Sequence, residues 1–254
     1  MTLGCHVMGY GPRRIVFMHG WLSDHRVYSP IMPLLDETQV TAAFPDYRGY
    51  GRSRGLVGDY SAEEIARDAL ELMDALGWER AHLVGHSMGG MAIQKLGCLA
   101  PERMISGTAI TPVPASGFPL DGATAAFFRS AVTEDAALAE IFDILTGKRH
   151  LSAFREYMIA EARAATTAPA LEGYLATWTG TDFAADVAGL QSPFLVIAGA
   201  HDGALGPDVM RKSYLTQLPR VNMEIIEAAG HYPMHETPIE LMTLISRFHE
   251  TRPS

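Results

Sequence analysis

Ser87 stands in Gly85-His86-Ser87-Met88-Gly89-Gly90, with an apolar run, Ala81 to Val84, before it and a helix-like stretch, Met91 to Ala100, after it. A strand that must reverse into a helix over so few residues strains the residue at the apex. Gly85 and Gly89 remove side chains that would collide on either side of the turn, and Gly90 lets the helix approach the sheet. Such a turn presents the seryl oxygen to a substrate. A serine hydroxyl is a poor nucleophile near neutral pH, so it needs a base within hydrogen-bond reach and a group that orients the base. Two later segments supply them. Gly199-Ala200-His201-Asp202 follows the apolar run Phe194 to Ala198, and Glu227-Ala228-Ala229-Gly230-His231 follows Met223 to Ile226. Asp202 is therefore read as the acid and His231 as the base, each on a loop at the carboxyl end of a strand, where side chains from distant sequence converge.

Competing residues exist for both roles. Asp208 and Asp186 are the other carboxylates weighed, but Asp202 directly follows an apolar strand. Of ten histidines, His82 falls in or beside a strand, His86 flanks the serine and His201 abuts the acid. His235 is the rival base. Gly230 provides a tight turn before His231, and the next helix begins near Pro238. Acyl transfer also needs donors for the developing oxyanion. The Met88 amide, at the start of a helix, is one, because N–H groups there are unpaired and the helix dipole favours an anion.

These side chains require a parallel sheet to bring them together. Leu3 to Met8, Arg14 to Met18, Val40 to Phe44, Ala81 to Val84 and Met104 to Ile110 read as strands. Ser61 with Glu64 forms a capping-box pattern that opens a helix to about Leu76, with Gly77 as its stop. Strand–helix alternation ceases after Thr111. Residues to about Asp186 are rich in Ala, Phe and Leu with helical periodicity, and then the β/α rhythm resumes. The organisation expected is a core α/β domain in two parts, 1–111 and 187–254, with a helical cap over 112–186.

Composition bounds the function. The 254 residues are 48% hydrophobic and 19% charged, enough for a large core. The net charge of -9 leaves no basic footprint for nucleic acid. Two cysteines, Cys5 and Cys98, fit a reducing compartment, with Cys98 a packed free thiol. Neither a signal peptide nor a membrane span is expected, which points to the cytoplasm. Histidine and cysteine spacing suggests no metal site, no nucleotide-binding loop follows a strand, and no cofactor is called for.

The order Ser87, Asp202, His231, with His19-Gly20-Trp21, the segment Asp46 to Ser53 and the serine turn, resembles the α/β-hydrolase superfamily over almost the whole chain. The small bacterial esterase, perhydrolase and C–C hydrolase branches are the nearest in pattern. The resemblance implies that the Trp21 amide is the second oxyanion donor. The Asp46 to Ser53 loop, sharpened by Gly49 and Gly51 and pinned by Asp46 and Arg48, and His19 are read as structural, and Lys148-Arg149-His150 as a solvated turn. Phe118, Phe127, Phe128, Phe142, Phe154, Tyr157 and Trp178 either line a pocket or hold the cap helices together. The expected reaction is hydrolysis of a small apolar ester or lactone through an acyl-serine. The alternatives are C–C cleavage of a diketone-like ring-fission product or a slow-turnover ligand sensor. Dehalogenase and epoxide-hydrolase branches place an aspartate at the turn, and cofactor-independent oxygenases share the scaffold. Many relatives begin with an antiparallel hairpin. Only about fourteen residues precede the strand at Ile15, so its first strand is expected to be missing or very short, leaving the sheet edge exposed.

Overall fold

A computed structural model describes residues 2–252. Seven strands form one sheet in the order β1-β3-β2-β4-β5-β6-β7. They are β1 (Cys5–Gly9), β2 (Arg13–Met18), β3 (Val40–Pro45), β4 (Ala81–His86), β5 (Met104–Ile110), β6 (Phe194–Gly199) and β7 (Val221–Ile226). β1 pairs antiparallel with β3, Cys5 opposite Pro45, and every other pairing is parallel. In place of the hairpin with which many relatives begin there is a single antiparallel strand, β1, and it covers the β3 edge.

The central strands β3, β4, β5 and β6 are buried at every residue. This is why they read as short unbroken apolar runs: a parallel strand covered on both faces has no solvent side to alternate with. β7, at the other edge, alternates instead. In the first half, α1 (Ala62–Ala75) and α2 (Met88–Leu99) connect the strands. Ser61 Oγ accepts from the Glu64 amide at 3.0 Å, but the Glu64 carboxylate turns to the Asp59 and Tyr60 amides, so the capping box is only half formed. Ile65, Ala69, Leu72 and Met73 are buried on one face of α1.

Between β5 and β6 every element is helical: α3 (Gly122–Ser130), α4 (Asp135–Leu145), α5 (Ser152–Ala165), α6 (Ala168–Gly180) and the single turn α7 (Ala184–Val187). After β6 come two short helices, α8 (Pro207–Lys212) and α9 (Tyr214–Gln217). The chain ends with α10 (Pro233–Glu236) and α11 (Pro238–Glu250). Among the described residues no helix is long and apolar enough to cross a membrane.

α11 packs through an unusual pair. His249 on α11 stacks on His82 of β4 with ring centroids 4.4 Å apart, and each bonds a β5 hydroxyl, His249 to Thr108 and His82 to Ser106. Burial pushes the His82 imidazole down to about 4, helped by the nearby Arg13, Arg252 and Arg80, and holds His249 well below its ordinary value. Both rings are therefore neutral in the fold. An unfolded chain, with ordinary imidazoles, takes up protons first as pH falls below about 6.5, so stability is full above that value and declines toward about pH 4. His82 alone should remove about 2 kcal/mol between pH 7 and pH 5. Thermal unfolding followed across that interval should show the loss, and an H82Q/H249L double variant should reduce it, leaving the share of the other buried histidines, His19, His86 and His235. An equally steep curve in the variant would assign the loss elsewhere.

Candidate functional site

The turn between β4 and α2 places Ser87 at φ +53°, ψ −119°. A Cβ on Gly85 would lie 2.2 Å from the Gly89 carbonyl oxygen, and one on Gly89 the same distance from that of Met18 on β2. Neither space admits a side chain, which is the physical content of the sequence pattern. The Ser87 amide donates to the Ile110 carbonyl at the end of β5, and its own carbonyl accepts from Gly90 and Val113. The strained apex is held from both sides.

Asp202 and His231 meet. The Asp202 Oδ2 to His231 Nδ1 distance is 2.6 Å, and both side chains are buried. The other Asp202 oxygen accepts the Ala204 and Leu205 amides at 2.9 and 3.0 Å. Ser87 and His231 line one cavity, which encloses about 500 Å³ including its mouth. Its walls include Trp21, Phe118, Phe128, Trp178, Leu205 and Tyr232, and no Asp, Glu, Lys or Arg is among its described lining residues. Of the insertion aromatics, Phe118, Phe128 and Trp178 face this cavity. Phe142 is buried, Phe154 packs against His150 and His235, and Tyr157 lines a different, smaller cavity.

The competing residues are accounted for by their contacts. His235 borders that smaller cavity, with Leu22, Asp24 and Tyr157, and not the one holding Ser87. His86 Nε2 is within 2.9 Å of the His231 carbonyl, so the ring is spent as a donor, and burial keeps it neutral. Asp208 pairs with Arg211. Met88 is the first residue of α2 and has no carbonyl inside the helix for its amide. The Trp21 amide has no hydrogen-bond acceptor among the described residues. The Trp21 indole donates to the Leu171 carbonyl at 2.8 Å, which fixes the ring against α6.

His19 and the Asp46 segment form a scaffold below the site. The Tyr47 amide donates to His19 Nε2, and Tyr47 OH to the His19 carbonyl. Asp24, His25 and Asp46 bring potential ligand atoms within 4.8 Å of one another. Their oxygens already accept hydrogen bonds, those of Asp46 from His25 and the Arg52 amide and those of Asp24 from Arg26. The Arg48 guanidinium grips Asp68 with two bonds of 2.7 Å.

Sequence reasoning missed the apparatus around the His231 backbone. Thr111 adopts φ +40°, rare for a β-branched residue, and its hydroxyl donates to the His231 carbonyl at 2.9 Å. The His231 amide donates to the Leu145 carbonyl at the end of α4. Glu236, with a side chain only 1% exposed, accepts the amides on both sides of His231, Gly230 at 2.9 Å and Tyr232 at 3.0 Å. The same carboxylate pairs with Arg149 at 3.2 Å and His150 at 2.8 Å, and Arg149 also donates to the Ala228 carbonyl. The turn read as merely solvated, Lys148-Arg149-His150, is exposed yet ties the insertion to the His231 loop. The correction has a simple cause: its partner lies some eighty-six residues away and is invisible to local spacing.

The sequence model of the α/β hydrolase family matches residues 15–243. Over 119 residues the chain is 34% identical to a fluoroacetate dehalogenase of a Burkholderia species, covering 45% of this chain and 38% of that one. The chain thus spans little more than a third of that relative's length. A longer likeness, 25% identical over 90% of this chain and 83% of the relative, is to a 2-hydroxy-6-oxononadienedioate/2-hydroxy-6-oxononatrienedioate hydrolase of Paraburkholderia xenovorans. Among solved structures, a hydrolase from Oleispira antarctica superposes with a TM-score of 0.87 at 20% identity, covering 98% of this chain and 94% of that one. That is a likeness of fold.

Proposed function

Because the chain belongs to the α/β hydrolase family, we propose that it hydrolyses a carboxylic ester or lactone of a small, uncharged, largely apolar substrate through an acyl-serine. The observation that carries this reading is the 2.6 Å Asp202–His231 bond beside a cavity that His231 shares with Ser87 and that no formally charged Asp, Glu, Lys or Arg among the described residues lines.

In this mechanism His231 Nε2 takes the Ser87 proton as Oγ attacks the carbonyl carbon. The carbonyl π electrons move to oxygen, which is met by the Trp21 and Met88 amides. One such donor is worth about 3–4 kcal/mol of barrier. Collapse of the intermediate expels the alkoxide, protonated by His231, and leaves the acyl-serine. Water, deprotonated by the same imidazole, then releases the acid. Asp202 holds the ring in the tautomer that keeps Nε2 free and stabilises the imidazolium. The helical insertion, 112–186, acts as the cap that closes the cavity and sets its specificity.

The relative from Paraburkholderia xenovorans is named for dioate substrates, which carry two carboxylates. With no Arg or Lys among the described cavity residues, this chain offers such a dianion no partner, which favours neutral esters over that C–C cleavage. The test is a fluorophosphonate probe followed by peptide mass analysis. The adduct is expected on Ser87, with turnover of neutral aryl esters and little of their anionic counterparts. Failure of the probe to modify Ser87 would overturn the reading.

Glu236 serves as a positioning residue in this scheme. Glu236→Ala should lower kcat by about 10²-fold, the cost of a small misplacement of a catalytic group, with KM little changed. Glu236→Gln, which keeps an acceptor but loses the charge facing Arg149 and His150, should fall between. A steady-state kcat and KM split checks this: a rise in KM alone would mean that the clamp shapes binding and not the base.

A further inference from the structure

Beside the cavity that holds Ser87 runs a second apolar depression, between α3, α4 and the loop after β6. Leu120, Ala123, Phe127 and Ile144 line it, and Glu140 and Thr124 lie among its polar residues. Phe118, Phe128 and Ala204 line both this groove and the cavity. The residues common to the two spaces are therefore two phenylalanines and an alanine. Aromatic side chains on a loosely packed support can rotate where a main-chain wall cannot.

The support is the least anchored part of the insertion. No residue of α3 is fully buried, whereas α4 and α6 each bury a continuous face. Phe128 is held by ring contacts to Trp21, Trp178 and Phe127, with centroids 5.6 to 6.0 Å apart. These ring contacts include no hydrogen bond, so a modest shift of α3 can exchange them for contacts with an incoming chain.

We propose that this groove is a subsite for an extended alkyl arm of the substrate, reached from the catalytic cavity past Phe118 and Phe128. The proposal rests on the acyl-serine reading and deepens it. The cavity takes the reacting carbonyl and the first carbons, and the groove takes the remainder of a chain too long for the cavity. The substrate class becomes an ester or lactone with a linear alkyl arm. Each further methylene withdrawn from water in the groove should raise kcat/KM by about fourfold.

Two probe series decide it: p-nitrophenyl esters from acetate to dodecanoate, which lengthen the acyl arm, and acetates from ethyl to dodecyl, which lengthen the alcohol arm. In the wild-type protein one series should continue to gain kcat/KM beyond the hexyl length, and the responsive series identifies the arm. Ala123→Trp fills the groove and should cut the long-to-short kcat/KM ratio by about tenfold. Phe128→Ala opens the partition and should raise that ratio. Flat profiles in both series with normal labelling of Ser87, or a ratio unmoved by Ala123→Trp in a folded protein, would overturn the subsite and leave the serine reading intact. Absence of both labelling and ester turnover would overturn the two together.

Discussion

Ser87→Ala should lower kcat for a neutral aryl ester by about 10⁶-fold, the size of effect seen when a serine nucleophile is removed from a preorganised site. The substitution deletes one oxygen atom and leaves the surrounding backbone bonds, from the Ser87 amide to Ile110 and from Gly90 and Val113 to the Ser87 carbonyl, untouched. Alanine tolerates the φ +53° apex no worse than serine does, so the variant should fold. Residual acceleration from the two amides and from binding would survive. The stopped-flow burst of released nitrophenol, which reports acyl-enzyme formation, should vanish together with steady-state turnover. Turnover preserved in the variant would mean that the hydroxyl is not the attacking group.

Asp202→Asn should cost about 10⁴-fold in kcat, and the structure gives the reason in atomic terms. Oδ1 of Asp202 accepts two amides, from Ala204 and Leu205, while Oδ2 faces His231 Nδ1. An asparagine must put its carbonyl oxygen at the Oδ1 position, because its NH₂ there would confront two N–H donors. The NH₂ then lands opposite His231 and forces Nδ1 to become an acceptor. The proton moves to Nε2, the atom that takes the serine proton in the proposed mechanism, and the proposed base is disabled with almost no change in geometry. Substrate KM should change little. Raising the pH should not restore activity, since the fault lies in where the proton sits and not in how many are bound. Recovery at high pH would contradict this account.

Much of this arrangement is legible in the amino-acid sequence. The serine turn is encoded within six residues, because the collisions that Gly85 and Gly89 avoid are local. The pairing of Asp202 with His231 is legible because each closely follows a short apolar run, and buried parallel strands look like that in any sequence. Other features were not legible for one shared reason. Glu236, Thr111 and His86 act on the backbone at and beside His231 across separations of four to 145 residues, and nothing in their own neighbourhoods announces the target. An acidic residue in an otherwise apolar stretch near a histidine was the available signal for Glu236, and it is a weak one. The insertion aromatics could not be sorted by pattern, since Phe127 and Phe128 are adjacent on one helix yet only Phe128 lines the cavity.

The stitching of Leu145, Arg149 and His150 to the loop that carries His231 is one of two seams between the helical layer and the sheet. The other runs through α6, by way of the Trp21 indole to Leu171, Tyr174 to the Arg48 carbonyl and Thr177 to the Tyr60 carbonyl. Only the first of these seams touches the backbone that carries the imidazole. Drift in residues 146–151 would accordingly be felt at the imidazole first, and only afterwards in the breadth of molecules admitted.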